Sequence, residues 1–276
     1  MPTETRSVAV PGGSLRVVVD GEGPPIVLVH AGIADLRAWD SLVPYLVDAG
    51  YRVVRYDTRG FGQSTTDDVA FSNRDDLRAV LDDLGISRAA IVGNSRGAMI
   101  ALDTILETPD RAVAFAWAGG GIGGFEGNLP TAEETAMYDR ADELMAADDI
   151  TALADLEAQI WVDGIGQPPG RAPAWIRDAV RDMNLPLLKK DRVMGRPMPL
   201  EPAANTRLDD IHVPLLIVVG ALDTTGTRAS AVRLEDAVDG ARRIVYSEVA
   251  HMVGMEAPER LAGDIVDLVR PLGAWA

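Results

Sequence analysis

The 276-residue sequence contains no cysteine. That absence removes disulfides, thiolate nucleophiles and cysteine-held metals. Histidine is almost as scarce, with only His30, His212 and His251. A histidine-rich metal centre is therefore excluded, and a mechanism that needs an imidazole has three candidates. Basic residues are outnumbered: 26 Lys and Arg stand against 42 Asp and Glu, for a formal charge of −16. A nucleic-acid binder needs a basic face to neutralise phosphates, and anionic membranes attract the same kind of surface. Neither partner is expected. Apolar runs of about 18 residues or more are missing too, so no membrane span is expected. The opening stretch MPTETRSVAVPGG lacks a charged segment followed by an apolar one. A secretory signal is not expected, and a cytoplasmic location is the default. The chain is 47% hydrophobic and 25% charged, a globular composition with enough length for one large core.

Alternation of strand and helix patterns dominates what is present. SVAV and LRVVVD flank PGGS and read as a hairpin. PPIVLVH is a short continuous apolar run, the mark of a strand buried on both faces. WDSLVPYLVDAG, with helical spacing and a terminal glycine, precedes the strand YRVVRYD. The amphipathic helix NRDDLRAVLDDLG, the strand AAIVGN, the helix RGAMIALDTILETP and the strand AVAFAWAGG follow. Such alternation predicts a mostly parallel, eight-stranded sheet with helices on both faces. From about residue 121 to 206 no convincing strand occurs, and TAEETAMYDRADELMAADD, ITALADLEAQIWVDG and APAWIRDAVRDMN read as helices. Strand and helix then resume with VPLLIVVG, RASAVRLEDAVDG, ARRIVYSE and PERLAGDIVDLVRPLG. The expected organisation is an α/β core of residues 1–120 and 207–276, interrupted by a helical insertion, 121–206.

IVGNSRGAM carries the chemical signal. Ser95 lies between Gly93 and Gly97, just past a buried strand and at the start of a helix. Ligands of open parallel sheets bind at the carboxyl ends of strands. A tight strand-to-helix turn strains the serine backbone, and glycine at the flanking positions lets strand and helix approach. The helix beginning at Arg96 turns free N–H groups towards the same place. The pattern G-x-S-x-G also fits a simple loop with a capping serine. A nucleophilic serine needs a base. His251, in SEVAHMVGMEAPE, follows the last strand at the same sheet edge. An acid would fix its tautomer, and Asp223 follows the strand LLIVVG; DTTGT is equally turn-like. His30 abuts an apolar strand and reads as a buried structural histidine, while His212 falls at the opposite edge.

The segments LVHAGIADLRAWD, YDTRGFGQS, VGNSRGAMIALD, IVVGALD and AHMVGMEAPERLAGDIVDLV span nearly the whole core. With them the chain resembles the α/β-hydrolase superfamily, in its single-cap branch of esterases, enol-lactonases and related small hydrolases. The order Ser95, Asp223, His251 is that of the superfamily. The resemblance implies Ser95 as nucleophile, His251 as general base, Asp223 as acid, and the N–H groups of Gly32 and Arg96 as oxyanion donors. It makes the helical block a cap and DTRGFGQS a buttressing loop. Two departures stand out. His30-Ala31 replaces His-Gly, and Arg96 stands where Met, Leu or Gln is usual; an acidic partner is the expectation for its side chain, a substrate carboxylate the alternative.

Serine in place of aspartate speaks for acyl transfer rather than the chemistry of haloalkane dehalogenases or epoxide hydrolases. A dehalogenase's halide-binding side chain has no equivalent at Gly32. The expected partner is a small to medium ester or lactone, with no metal and no organic cofactor. Ile33, Tyr138, Trp161, Trp175 and Met252 are the expected apolar pocket residues. Carbon–carbon bond hydrolysis, a perhydrolase activity and a small-molecule receptor with little turnover remain alternatives, and a homodimer is left open.

Overall fold

The structure is a computed structural model that describes residues 3–189 and 191–275. The strands are β1 (Glu4–Val10), β2 (Gly13–Asp20), β3 (Pro25–Val29), β4 (Arg52–Tyr56), β5 (Thr65–Thr66), β6 (Ala70–Phe71), β7 (Ala89–Asn94), β8 (Ala112–Ala118), β9 (Arg196–Pro197), β10 (Leu215–Gly220) and β11 (Arg242–Tyr246). The helices are α1 (Val43–Asp48), α2 (Asn73–Asp83), α3 (Arg96–Glu107), α4 (Ala132–Ala146), α5 (Ile150–Ala158), α6 (Ala174–Asn184), α7 (Thr225–Ala237), α8 (Val253–Glu256) and α9 (Pro258–Val269).

The main sheet runs β1-β2-β4-β3-β7-β8-β10-β11, with the short β5 paired to β2 as a ninth strand. The hairpin β1/β2 turns over Pro11 and Gly12, and β2/β4 is also antiparallel. Every pairing from β4 to β11 is parallel. The strands β3, β7, β8 and β10 are buried along their whole lengths. This burial explains their unbroken apolar runs, since helices cover both faces. Alternate residues of each strand feed two cores. One gathers Val27, Ile91, Phe115 and Ile217 with α2, α3 and α7. The other gathers Leu28, Val92, Ala116 and Val218 with α1 and α9.

Between β8 and β10 the chain forms the three expected helices. A capping box at Thr131 and Glu134 starts α4, and Asp149 caps α5. The second segment differs from expectation at its end. The helical spacing of ITALADLEAQIWVDG suggests one continuous helix, but α5 passes at Gln159–Asp163 into a π-helical turn. Two short strands were not legible either: β6 pairs with β9, inside the block read as strand-free. Neither two-residue strand is long enough to show a hydrophobic period. An apolar cluster of Ala31, Ala34, Ala38, Val162, Ile176, Val180, Met183, Met252 and Met255 seats the block on the core. Among the described residues no helix is long and apolar enough to cross a membrane.

Candidate active site

The turn at Ser95 is sharp. Its φ of 55° and ψ of −120° make it one of two described non-glycine residues at positive φ. Such a conformation costs about 1–3 kcal/mol and persists only where the surroundings enforce it. Here Ser95 N donates to Ala118 O at 2.9 Å, while Ser95 O accepts from Ala98 N and Met99 N. The flanking glycines are steric necessities. A Cβ on Gly93 would lie 2.4 Å from Gly97 O, and one on Gly97 would lie 2.0 Å from Val29 O. Helix α3 thus rests directly on the backbone of β7 and β3.

Histidine and acid meet beside this turn. His251 Nδ1 lies 3.0 Å and 2.9 Å from the two carboxylate oxygens of Asp223. Both side chains are buried, at 7% and 0% exposure. Nδ1–H donating to the carboxylate leaves Nε2 free to accept. Thr224 N also donates to Asp223 Oδ1, at 2.7 Å. A Cβ on Gly119 would come within 3.1 Å of Asp223 Oδ2, so that glycine makes room for the acid. Asn94, the residue before Ser95, donates through Nδ2 to both Ala118 O and His251 O. It ties the serine turn to the histidine loop, a role without a signal in the sequence. Among the described residues no hydrogen bond joins Ser95 Oγ to His251. Such contacts are commonly loose before substrate arrives.

The helical block braces the histidine from the other side. Trp161, on the π-helical turn, places its ring 4.7 Å from that of His251 and accepts from His251 N through its carbonyl at 3.3 Å. Arg171 donates to Val162 O, Asp163 O and Glu248 O and pairs with Glu256. Glu256 in turn accepts from Ala250 N at 3.0 Å. The Glu134 carboxylate accepts from Thr225 N and Thr225 Oγ1, both at 2.7 Å, and so holds α4 to the start of α7 just beyond Asp223.

The N–H groups of Gly32 and Arg96 have no hydrogen-bond acceptor among the described residues, as is usual in a loop and in the first turn of a helix. The Arg96 side chain passes Gly32, with Cδ 3.5 Å from the position of a Cβ there. Among the described residues no acidic partner lies within 4.0 Å of it, contrary to expectation. Its guanidinium donates to Thr58 Oγ1 at 2.8 Å and Asn73 Oδ1 at 3.1 Å, and its carbon sits 4.6 Å from the Phe61 ring centroid. Burial, with the neighbouring Arg192 cation acting the same way, pushes its pKa down to about 10.

His30 is fully buried. Thr58 N donates to its Nε2 at 2.9 Å, so the proton sits on Nδ1, which donates to Ala31 O at 2.8 Å. Burial pushes its pKa down to about 4, which keeps it neutral. His212 is exposed. In the DTRGFGQS loop, Asp57 accepts from Leu36 N and Gln63 N, and Arg59 forms a buried ion pair with Asp76. A Cβ on Gly62 would fall 2.3 Å from the Asp57 carboxylate. The loop is a brace, with no group directed at Ser95.

A cavity of about 380 Å³ opens over Ser95 and His251, walled by Met99, Phe125, Trp161 and Thr227. Of the expected pocket residues only Trp161 lines it. Met252 is buried in the cluster beneath the helical block, and Ile33 packs against it. Tyr138 stands against Thr224. Trp175 is 51% exposed, because Ile176, Val180 and Met183 carry the inward face of α6 and Trp175 lies about 100° from Ile176 around the helix. Phe125, Met99 and Thr227 were not foreseen; they come from three separate segments that only the fold brings together. Among the described residues no group of three or more His, Asp or Glu side chains converges on a metal position.

Comparison with known proteins agrees with this architecture. Residues 24–149 match the family model described as alpha/beta hydrolase fold. The enol-lactonase from Burkholderia xenovorans LB400 superposes with a TM-score of 0.76 at 24% identity, covering 96% of this chain and all of that one. This chain has the α/β-hydrolase fold. Epoxide hydrolase A of Mycobacterium tuberculosis (strain ATCC 25618 / H37Rv) is 40% identical over 123 residues. The match covers 42% of this chain, which spans only 38% of that relative's length. The 2-hydroxy-6-oxononadienedioate/2-hydroxy-6-oxononatrienedioate hydrolase of Burkholderia vietnamiensis (strain G4 / LMG 22486) is 27% identical over 96% of this chain and 94% of its own.

Proposed function

We propose that the chain is a serine hydrolase that cleaves a small to medium carboxylic ester or lactone through an acyl-enzyme. Ser95 Oγ attacks the carbonyl carbon while His251 Nε2 takes its proton. Asp223 holds the imidazole by Nδ1 and stabilises the imidazolium. The N–H groups of Gly32 and Arg96 receive the oxyanion. His251 returns the proton to the departing alkoxide oxygen, and the C–O bond breaks. Water, deprotonated by the same imidazole, then attacks the acyl carbon and frees Ser95. The helical block of residues 121–206 serves as the cap that closes the site.

The observation that carries this reading is the positive-φ serine at the edge where the His251–Asp223 pair is buried. Such strain at a non-glycine residue is otherwise a cost without return. Epoxide hydrolase is the activity of one relative compared above. Serine at the nucleophile position argues against that chemistry here. Carbon–carbon bond hydrolysis is the second reading, favoured by the near full-length likeness to the dienedioate hydrolase. Intact-protein mass after fluorophosphonate treatment, with p-nitrophenyl acetate and butyrate turnover, tests the proposal. Single labelling and turnover, both lost in Ser95→Ala, are expected. Labelling without ester turnover would favour the carbon–carbon reading. A folded chain that takes no label would refute the nucleophile.

A further inference from the structure

Partly buried arginines in this acidic chain are generally matched by carboxylates. Arg59 pairs with Asp76, Arg55 with Asp20 and Asp40, Arg74 with Glu107, Arg171 with Glu256 and Arg177 with Asp163. Arg96 and Arg192 are different. Among the described residues neither has a carboxylate within 4.0 Å, and both guanidinium carbons lie 4.6 Å from the Phe61 ring centroid. Arg192 donates to the carbonyls of Gly60 and Leu187. Among the described residues Arg96 gives side-chain hydrogen bonds to Thr58 and Asn73 alone, which leaves donors of its five-hydrogen fork without a described partner. A cation held by neutral acceptors in a poorly hydrated place has electrostatic demand left over.

Arg96 also borders a second cavity, of about 330 Å³, with Asn73, Met99, Ile100 and Leu200 on its walls. Arg96 and Met99 belong to both cavities, so the two spaces adjoin at the first turn of α3, beside Ser95. The charged groups of the second cavity are distributed unevenly. Asp103, two turns further along α3, and Glu201 supply the acids; Arg74 also borders the cavity but is already paired with Glu107, while Arg96 stands at the Ser95 end. The cation without a carboxylate partner is at that end, and an anion is favoured there.

We propose that Arg96 and Asn73 form a carboxylate subsite, and that the substrate is a monoanion whose carboxylate rests on Arg96 while its reacting carbonyl rests at Ser95. The subsite deepens the serine-hydrolase reading and rests on it for the identity of the reacting group. A planar carboxylate matches the guanidinium fork in two charge-assisted hydrogen bonds. A neutral ester of the same length offers the guanidinium no such partner.

The test compares wild type with Arg96→Met, which keeps an unbranched stem, and Asn73→Asp, which supplies the missing carboxylate from within the fold. Circular dichroism establishes that each is folded. Hexanoate binding is measured by titration calorimetry. The kcat/KM for monomethyl adipate is divided by that for uncharged methyl hexanoate, so each protein is its own standard. Wild type is expected to bind hexanoate, less tightly as salt is added, and to prefer the monoester. Both measures should fall about tenfold or more in either variant. Hexanoate that binds all three proteins equally, or none, with an unchanged ratio, overturns the subsite. Fluorophosphonate labelling of Ser95 reports separately on the parent reading. Labelled enzyme with an unchanged ratio sinks the subsite alone; unlabelled enzyme with variant-sensitive hexanoate binding upholds the subsite and removes the serine-hydrolase reading.

Discussion

Replacing Gly97 by alanine adds a single methyl group, yet the structure assigns it a large effect. The new Cβ would lie 2.0 Å from Val29 O, 2.5 Å from Val29 C and 2.7 Å from His30 O. All three are backbone atoms, so no side chain can swing away. Restoring ordinary contact at about 3.4 Å requires α3 and the end of β3 to separate by more than about 1 Å. Overpacking of this kind costs about 1–3 kcal/mol. The same displacement moves Ser95 away from the loop that carries Gly32, and about 1 Å of misplacement at reacting atoms costs on the order of a hundredfold in rate. Gly263→Ala is the control. It sits on the exposed side of α9 with nothing within 4 Å of an added Cβ, and should stabilise by about 0.5–1 kcal/mol. Urea unfolding and the second-order rate of fluorophosphonate labelling measure the two effects. The reasoning fails if Gly97→Ala labels at the wild-type rate with an unchanged urea midpoint, because α3 would then not be held against β3 as described.

Other perturbations separate the parts of the site. If Asp223 orients His251 as proposed, Asp223→Asn should lower kcat by several orders of magnitude, about 10⁴-fold by analogy with known Ser-His-Asp triads, and the steady-state rate on p-nitrophenyl butyrate reads it. Asp76→Asn leaves Arg59 buried without its countercharge and should destabilise by about 3–5 kcal/mol in urea, with labelling of the folded fraction retained. His30 is held neutral in the fold, with its pKa pushed from 6.5 to about 4. Below pH 6.5 the unfolded chain takes a proton that the folded chain refuses. His30 therefore subtracts stability as pH falls from 6.5 towards 4, by up to about 1.4 kcal/mol per pH unit. Urea midpoints for His30→Gln between pH 7 and 4.5 should show that slope reduced by nearly one proton. Asp103 has the opposite sign. Burial pushes its pKa from 3.8 up to about 6, so its ionisation costs stability progressively as pH rises from about 3.8 to 6 and fully above that, and Asp103→Asn should raise Tm more at pH 7.5 than at pH 5.

The elements that position Ser95 were legible because they repeat a simple physical rule. Strands buried on both faces, such as Ile26–Val29 and Ala89–Val92, read as unbroken apolar runs, and the helices between them end at Gly50 and Gly85, both at positive φ. Gly93 and Gly97 report a close approach through their lack of side chains. What surrounds the serine was less readable. Trp175 and Trp161 look alike in a helical pattern, but the π-helical turn at Gln159–Asp163 brings Trp161 onto His251, while α6 turns Trp175 to solvent. Arg96 has acidic residues nearby in sequence space, yet whether one reaches its guanidinium depends on where α2 and the 58–61 loop lie. No local period encodes that arrangement. The bond from Asn94 to the His251 carbonyl joins residues 157 positions apart and is equally invisible before folding.

The parallel pairing of β8 with β10 carries a consequence for how the fold comes into being. Phe115 and Leu215 stand side by side although roughly a hundred residues separate them, so joining these strands closes a long loop at an entropic cost that local pairings avoid. On a ribosome, Ser95 emerges with its strand and helix well before Asp223 and His251 exist. The scaffold of the proposed nucleophile is in place early, but the proposed acid and base arrive with the last strands to dock. Under the proposed function a nascent or truncated chain would be chemically silent, and reactivity towards fluorophosphonate would be a clock for the final step of assembly.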